Sequence, residues 1–136
     1  MSESLTHHNY VVKIYEKVKG MIPQSELCFL NADLFECKKP SLVYGKFIPD
    51  VMFCHNKLLI IGEAKTLDDY KKEHSYQQYE TYIKECSQFP GESYFIICIP
   101  WSLFISAQNH FKLLKRKYKV ATKVIVLADN GWEVTV

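Results

Sequence analysis

Apolar and polar residues recur along this chain with a helical period in some segments and a strand-like pattern in others. Residues 6–19 carry an apolar side chain at every third or fourth position, which is typical of an amphipathic helix. Thr6 is the predicted N-cap of this helix, and Gly20 is its predicted end. The apolar positions are Tyr10, Ile14, Val18 and Met21. Residues 23–43, in contrast, follow neither period.

The segment from residue 44 to residue 65 has the pattern of two strands joined by a short turn. Apolar residues run on both sides of His55 and Asn56, the two polar residues that we expect to form the turn. Because apolar residues occupy both alternating positions of these strands, the hairpin is expected to lie in a sheet covered on both faces.

The rest of the chain alternates helices and strands. Residues 68–87 predict a helix, and residues 93–99 predict a strand that is covered on both faces. A further helix is expected to begin after Ser102 or Ser106 and to end in the basic stretch at residues 112–119. The apolar stripe predicted for the first of these helices is formed by Tyr76, Tyr79, Ile83 and Cys86.

Two final strands are predicted on either side of a tight turn at Asn130 and Gly131. The complete order of helices and strands predicts an α/β fold, with a mixed sheet flanked by helices. No repeat or low-complexity linker divides the chain, so residues 1–136 are expected to form a single domain.

The composition excludes several classes of protein. Hydrophobic residues make up 48% of the 136 positions and charged residues 24%, which argues against a disordered tail or a fibrous repeat. The five cysteines lack the spacing of a zinc site. No apolar run approaches the length of a membrane span or of a signal peptide, so we expect an intracellular, cytoplasmic protein.

The predicted hairpin brings charged residues together. If His55 and Asn56 form a two-residue turn, Asp50 faces Ile61, and Glu63 is its diagonal neighbour on the same face of the sheet. Two carboxylates in that arrangement can reach one divalent ion. The alternative is that these charges sit in solvent at the ends of strands, as charged residues at such positions often do.

These residues resemble a known motif. Pro49-Asp50, followed after the hairpin by Glu63-Ala64-Lys65, is similar to the PD-(D/E)XK signature of restriction-endonuclease-like nucleases. The resemblance implies an αβββαβ core and Mg²⁺- or Mn²⁺-dependent hydrolysis of DNA. It also implies that Asp50, Glu63 and the Ala64 carbonyl bind the metal. Lys65 would orient the attacking water or neutralise charge in the transition state.

A second motif lies in the helix that follows. Gln78 and Tyr82 match the Q-x-x-x-Y pattern of the RecB-like and Cas4-like branches, and Gly45 and Phe47 precede the first motif in a similar setting. The resemblance covers roughly residues 6–100. It implies that Gln78 holds a phosphate oxygen or Lys65, and that Tyr82 stacks on a base or hydrogen-bonds the substrate backbone. A half-buried tyrosine with a wet hydroxyl is the alternative for Tyr82.

The family often places a further acidic residue or a histidine on its first helix. Glu3, His7, His8 and Glu16 are the candidates in this sequence, and spacing alone does not choose among them. The number of metal ions that the resemblance implies therefore stays open.

The basic stretch at residues 112–119 has two interpretations. In the first interpretation, the stretch contacts phosphates of a nucleic acid. In the second, it is the solvent-exposed end of a helix, where the helix dipole stabilises positive charges. The cations concerned are Lys112, Lys115, Arg116, Lys117 and Lys119.

The expected partner is DNA, with RNA as an alternative substrate. A homo-oligomer or a second subunit would supply target recognition. The competing function is that of a catalytically inactive nucleic-acid-binding or assembly subunit with the same fold.

Overall fold

Six strands form one mixed sheet in a computed structural model that describes residues 4–41, 43 and 46–136. The strands are β1 (Leu30–Ala32), β2 (Val51–His55), β3 (Leu58–Ala64), β4 (Glu92–Ile99), β5 (Lys123–Ala128) and β6 (Glu133–Thr135). The helices are α1 (Leu5–Lys19), α2 (Leu67–Tyr70), α3 (Glu73–Gln88) and α4 (Phe104–Tyr118). Two short 3₁₀ helices span Gln24–Phe29 and Trp101–Leu103.

The strands lie side by side in their chain order, from β1 to β6. The central strands β3, β4 and β5 are parallel, and every other neighbouring pair is antiparallel. Parallel neighbours need a crossover, and α3 and α4 supply the two crossovers. The predicted α/β fold with a mixed sheet flanked by helices is therefore confirmed.

Helices cover both faces of the sheet. On one face, the apolar stripe of α1 packs against the sheet, and on the other face α3 and α4 form a second core. A Cβ added at Gly62 would lie 2.5 Å from Cγ2 of Ile14, so the glycine allows α1 to approach β3 closely. The contact brings the first turn of α1 to the end of the hairpin.

The first helix begins earlier than the sequence pattern predicted. Ser4 is the N-cap, and its hydroxyl accepts a hydrogen bond from the His7 amide, whereas the predicted cap Thr6 lies inside the first turn. Both residues have the hydroxyl that a cap requires, so composition did not distinguish them. The predicted end at Gly20 is confirmed.

The predicted hairpin register is wrong by two residues. Asn56 and Lys57 form the turn, with φ angles of 50° and 60°, and His55 pairs with Leu58. Positive φ at both central positions is characteristic of the primed turns that match the twist of a hairpin. Asp50 lies one residue before the Val51–Gly62 pair, outside the ladder, and its amide donates a hydrogen bond of 3.1 Å to the Gly62 carbonyl, so it does not face Ile61 as predicted.

Two other expectations need correction. The first strand of the hairpin begins at Val51 and not before Pro49; the predicted strand residues 44 and 45 lie outside the described residues. The helix predicted at residues 68–87 is interrupted between α2 and α3. Tyr76 is 37% exposed, so it lies at the margin of the stripe, while its predicted companions Tyr79, Ile83 and Cys86 are buried.

The later strands agree closely with the sequence pattern. The strands predicted at residues 93–99 and 122–129 and the last hairpin are confirmed.

All five cysteines are free thiols. Among the described residues, no helix combines the length and the apolar character that a membrane span requires.

Candidate active site

Three charged residues of the predicted motif lie together at one edge of the sheet. Asp50 immediately precedes β2, Glu63 lies near the end of β3, and Lys65 follows β3. All three are buried, with 8%, 4% and 7% of their surfaces exposed. Charged side chains are rarely this buried unless they are paired or bind an ion. The alternative, that these residues are solvent-exposed charges at the ends of strands, is therefore wrong.

The Asp50 carboxylate is held from two sides. Its Oδ2 atom accepts a hydrogen bond of 2.9 Å from the Ala64 amide on the neighbouring strand. The same oxygen lies 3.3 Å from Nε2 of His7, which belongs to the first turn of α1. These contacts fix the carboxylate between the hairpin and the helix.

The helix residue at the site is His7. His8 and Glu16, two of the other candidates, are exposed on α1, and Glu3 lies outside the described residues. His7 precedes Tyr10 by three positions and Glu3 precedes it by seven, so both continue the stripe of α1 and the spacing does not separate them.

Glu63 is the most deeply buried of the three charged residues. Its Oε2 atom lies 3.6 Å from Nζ of Lys65, and its Oε1 atom has no hydrogen-bond partner among the described residues. Burial, followed by the nearby Asp50 carboxylate, raises the pKa of Glu63 well above its usual value, and Lys65 opposes this rise. The negative charge of the Glu63 carboxylate is therefore only partly balanced by the groups around it.

Lys65 contacts the helix that carries the second motif. Its ammonium group donates a hydrogen bond to Oε1 of Gln78, which is 8% exposed. Of the two roles that the resemblance implied for Gln78, the structure contains the contact with Lys65. The pairing depends on how α3 crosses the sheet, which no local pattern in the sequence specifies.

Tyr82 lies in the core beneath the site. Its ring is 0% exposed and packs near Phe47 and Phe95, at centroid distances of 6.3 Å and 5.8 Å. No face of the ring is open, so the base-stacking role considered for Tyr82 does not fit. Its buried hydroxyl lies near the Glu63 carboxylate, and burial, followed by that carboxylate, raises the pKa of Tyr82.

The two carboxylates suit a hard divalent cation. Asp50 and Glu63 come from adjacent strands, and the unpartnered Oε1 of Glu63 is an oxygen with unused acceptor capacity. Within the described ranges there is no group of three or more His, Cys, Asp and Glu residues that could form an all-protein metal cage. Mg²⁺ commonly uses only one or two carboxylates and completes its coordination with water and substrate phosphate.

Two grooves reach this edge of the sheet from different sides. The larger, of about 760 Å³, includes His7, Tyr10, Thr66 and Pro100 in its lining. A smaller groove, of about 360 Å³, is lined in part by Asp50. His7 and Asp50 therefore border open grooves, whereas Glu63 and Lys65 line neither of them.

The basic stretch at residues 112–119 lies elsewhere. The 15 residues of α4 extend for ~22 Å from the carboxyl end of β4 back toward the start of β5, at the opposite edge of the sheet. There Lys115 donates a hydrogen bond to the carbonyl of Val136, and Lys117 lies 4.0 Å from Glu80. This stretch is not part of the candidate site.

In comparisons with known proteins, no family model, no curated protein and no solved structure matches this chain. The chemistry of the site is therefore argued from its own residues.

Proposed function

We propose that this protein is a metal-dependent nuclease that hydrolyses DNA phosphodiester bonds on a restriction-endonuclease-like core. The observation that carries the proposal is the buried pair of neighbouring carboxylates, Asp50 and Glu63, beside the buried Lys65. The order of α1, β1, β2, β3, α3 and β4 is compatible with an αβββαβ core.

The electrostatics of the pair support a metal site. Two buried carboxylates close to one lysine are costly when both are ionised, and the raised pKa of Glu63 expresses that cost. A divalent cation would offset the cost. Asp50, Glu63 and the Ala64 carbonyl would hold it, and it would lower the pKa of a bound water and polarise the phosphate.

The other residues of the site have positioning and electrostatic roles in this proposal. His7 and the Ala64 amide hold the Asp50 carboxylate in place. Gln78 holds the Lys65 ammonium close to Glu63, where a positive charge can stabilise the negative charge that develops on the scissile phosphate. Since the Asp50 carboxylate and the Lys65 ammonium are already held in place, they need little reorganisation during the reaction.

A cleavage assay tests this function. Labelled single-stranded DNA, duplex DNA and RNA are incubated with purified protein in Mg²⁺, in Mn²⁺ and in EDTA. We expect cleavage of DNA that requires the metal and that is lost in Glu63→Gln. Glu92→Gln, an exposed carboxylate at the start of β4 and at the opposite edge of the sheet, is the matched control and retains activity. Undiminished cleavage in EDTA, or an active Glu63→Gln protein, would contradict the proposal.

A further inference from the structure

Two tryptophans stand exposed on the same edge of the sheet as the candidate site. Trp101 follows β4 and Trp132 precedes β6; they are 57% and 51% exposed. Their ring centroids are 6.2 Å apart with an interplanar angle of 79°, and Phe104 lies 5.7 Å from Trp132. Large aromatic side chains exposed next to one another form a surface suited to binding.

The pair is anchored to the helix that carries His7. Oδ1 of Asp129 accepts a hydrogen bond of 2.9 Å from the Trp101 amide, and Oδ2 accepts one of 2.9 Å from the Tyr10 hydroxyl. Tyr10 lies one helical turn from His7. The backbone at Trp101 is thus tied through Asp129 to α1, one helical turn from His7.

Grooves join the tryptophans to the site on one side and to lysines on the other. The groove of about 760 Å³ extends from His7 past Tyr10 to Pro100, the residue before Trp101. A second groove, of about 320 Å³, is lined by Lys13, Lys17 and Trp132 among others. Positions 10, 13 and 17 of α1 share one side of the helix, so the two grooves follow the same helix.

We propose that this path binds single-stranded DNA, with bases stacked on Trp101 and Trp132 and the strand directed toward His7 and Asp50. The inference rests on the proposed function, which makes DNA the substrate, and it adds that the substrate strand is unpaired. Exposed indoles offer π-faces to bases, and unpaired bases are free to stack on them. A duplex keeps its bases stacked inside the helix.

The charges along the path indicate that stacking provides most of the affinity. Lys17 is paired with Glu133 at 2.7 Å, and Glu16 also lines the second groove. In the first groove, Asp69 is paired with Lys72 at 3.1 Å. The three lysines that line the two grooves, Lys13, Lys17 and Lys72, are outnumbered by four carboxylates, those of Asp68, Asp69, Glu16 and Glu133, so we expect the affinity for DNA to depend only weakly on salt concentration.

Tryptophan fluorescence offers a direct test, since the chain contains only these two tryptophans. The full-length protein is titrated in EDTA with an oligothymidylate of about 15 nucleotides, a length within the range that a single-strand groove covers. We expect quenching of the fluorescence and tighter binding than to a hairpin duplex of equal length. Absence of quenching, or equal binding of the duplex, would overturn the proposal.

Substitutions then locate the binding surface by anisotropy of a labelled oligothymidylate. Trp101→Ala and Trp132→Ala should each weaken binding by roughly 5- to 150-fold, the loss of one stacked base. Trp132→Phe retains a ring and should recover much of the affinity. Leu113→Ala, an equally exposed apolar residue on α4, is the control and should bind normally. Unchanged affinity in a folded Trp101→Ala, Trp132→Ala double variant contradicts the path.

The two proposals fail in different ways. Binding in EDTA does not require cleavage, so quenching without any metal-dependent cleavage would refute the nuclease proposal and leave the single-strand path standing. Cleavage that depends on Glu63, combined with no quenching by oligothymidylate, would refute the path and leave the nuclease proposal standing.

Discussion

The two edges of the central sheet carry charges of very different character. At the carboxyl edge, Asp50, Glu63 and Lys65 are buried, and one oxygen of Glu63 has no partner among the described residues. At the opposite edge, Arg116 and Lys117 are exposed in the last turn of α4. Cations in that position interact favourably with the helix dipole without further function.

This comparison shows that the burial and the partners of a charged residue indicate its function better than the number of charges in a segment does. The basic stretch is the more conspicuous feature of the sequence, with five cations in eight positions. Exposed cations of this kind contribute little to stability. A buried and under-compensated carboxylate pair costs stability, so its presence points to a function. The carboxyl ends of parallel strands are also where α/β proteins commonly bind ligands.

The largest expected effect comes from removing one of the neighbouring carboxylates. Asp50→Asn and Glu63→Gln should each reduce DNA cleavage by more than about 100-fold, since a direct metal ligand matters more than the groups that support it. Mn²⁺ binding measured by calorimetry should weaken in parallel. In EDTA, the thermal unfolding midpoint of Glu63→Gln should stay the same or rise, because repulsion between the carboxylates is removed. A fall in the midpoint together with retained cleavage would make the pair structural.

The next effect concerns Lys65 and the glutamine that holds it. Lys65→Ala should slow cleavage by about 100- to 1,000-fold, the loss of one preorganised electrostatic contact. Gln78→Ala leaves the lysine present but less well positioned, so a loss of about tenfold in kcat is expected. Mn²⁺ affinity should hardly change in Gln78→Ala. Gln77→Ala, its exposed neighbour on α3, is the matched control.

Tyr82 should affect stability more than chemistry. Tyr82→Ala is expected to lower the free energy of unfolding by about 3–5 kcal/mol, as for other large aromatic truncations in a core. Tyr82→Phe should unfold at nearly the same urea concentration, because it keeps the packed ring and removes only the hydroxyl near Glu63. If Tyr82→Phe is fully stable but loses cleavage, the hydroxyl takes part in the reaction.

The sequence was sufficient to place the carboxylates on one face, although it placed them in the wrong register. A shift of the register by two residues leaves each side chain on the same face of the sheet, so the motif residues are still neighbours. The error arose because the turn uses Asn56 and Lys57 at positive φ, and lysine gives no signal for that conformation.

Contacts between separate elements were harder to predict than the fold. The contact between His7 and Asp50 depends on the close approach of α1 at Gly62, and the hydrogen bond between Lys65 and Gln78 depends on the crossing of α3. Trp101 and Trp132 are 31 positions apart in the sequence, and only the parallel arrangement of β4 and β5 brings them to one edge. Tertiary geometry, and not local pattern, determines these parts of the site.

The smallest expected effect is at the opposite edge of the sheet. Lys112→Ala combined with Arg116→Ala should change the rate of cleavage of a short DNA substrate by less than about threefold at physiological salt. Lys112 and Arg116 lie about 12 Å and 18 Å along α4 from its start at the carboxyl edge of the sheet. Both distances exceed the roughly 8 Å over which physiological salt screens exposed charges, so these cations hardly influence the site. Rates measured on a short and a long substrate at the same salt concentration check this. A loss of tenfold or more on the short substrate would mean that DNA contacts both edges, and the contrast drawn between them would fail.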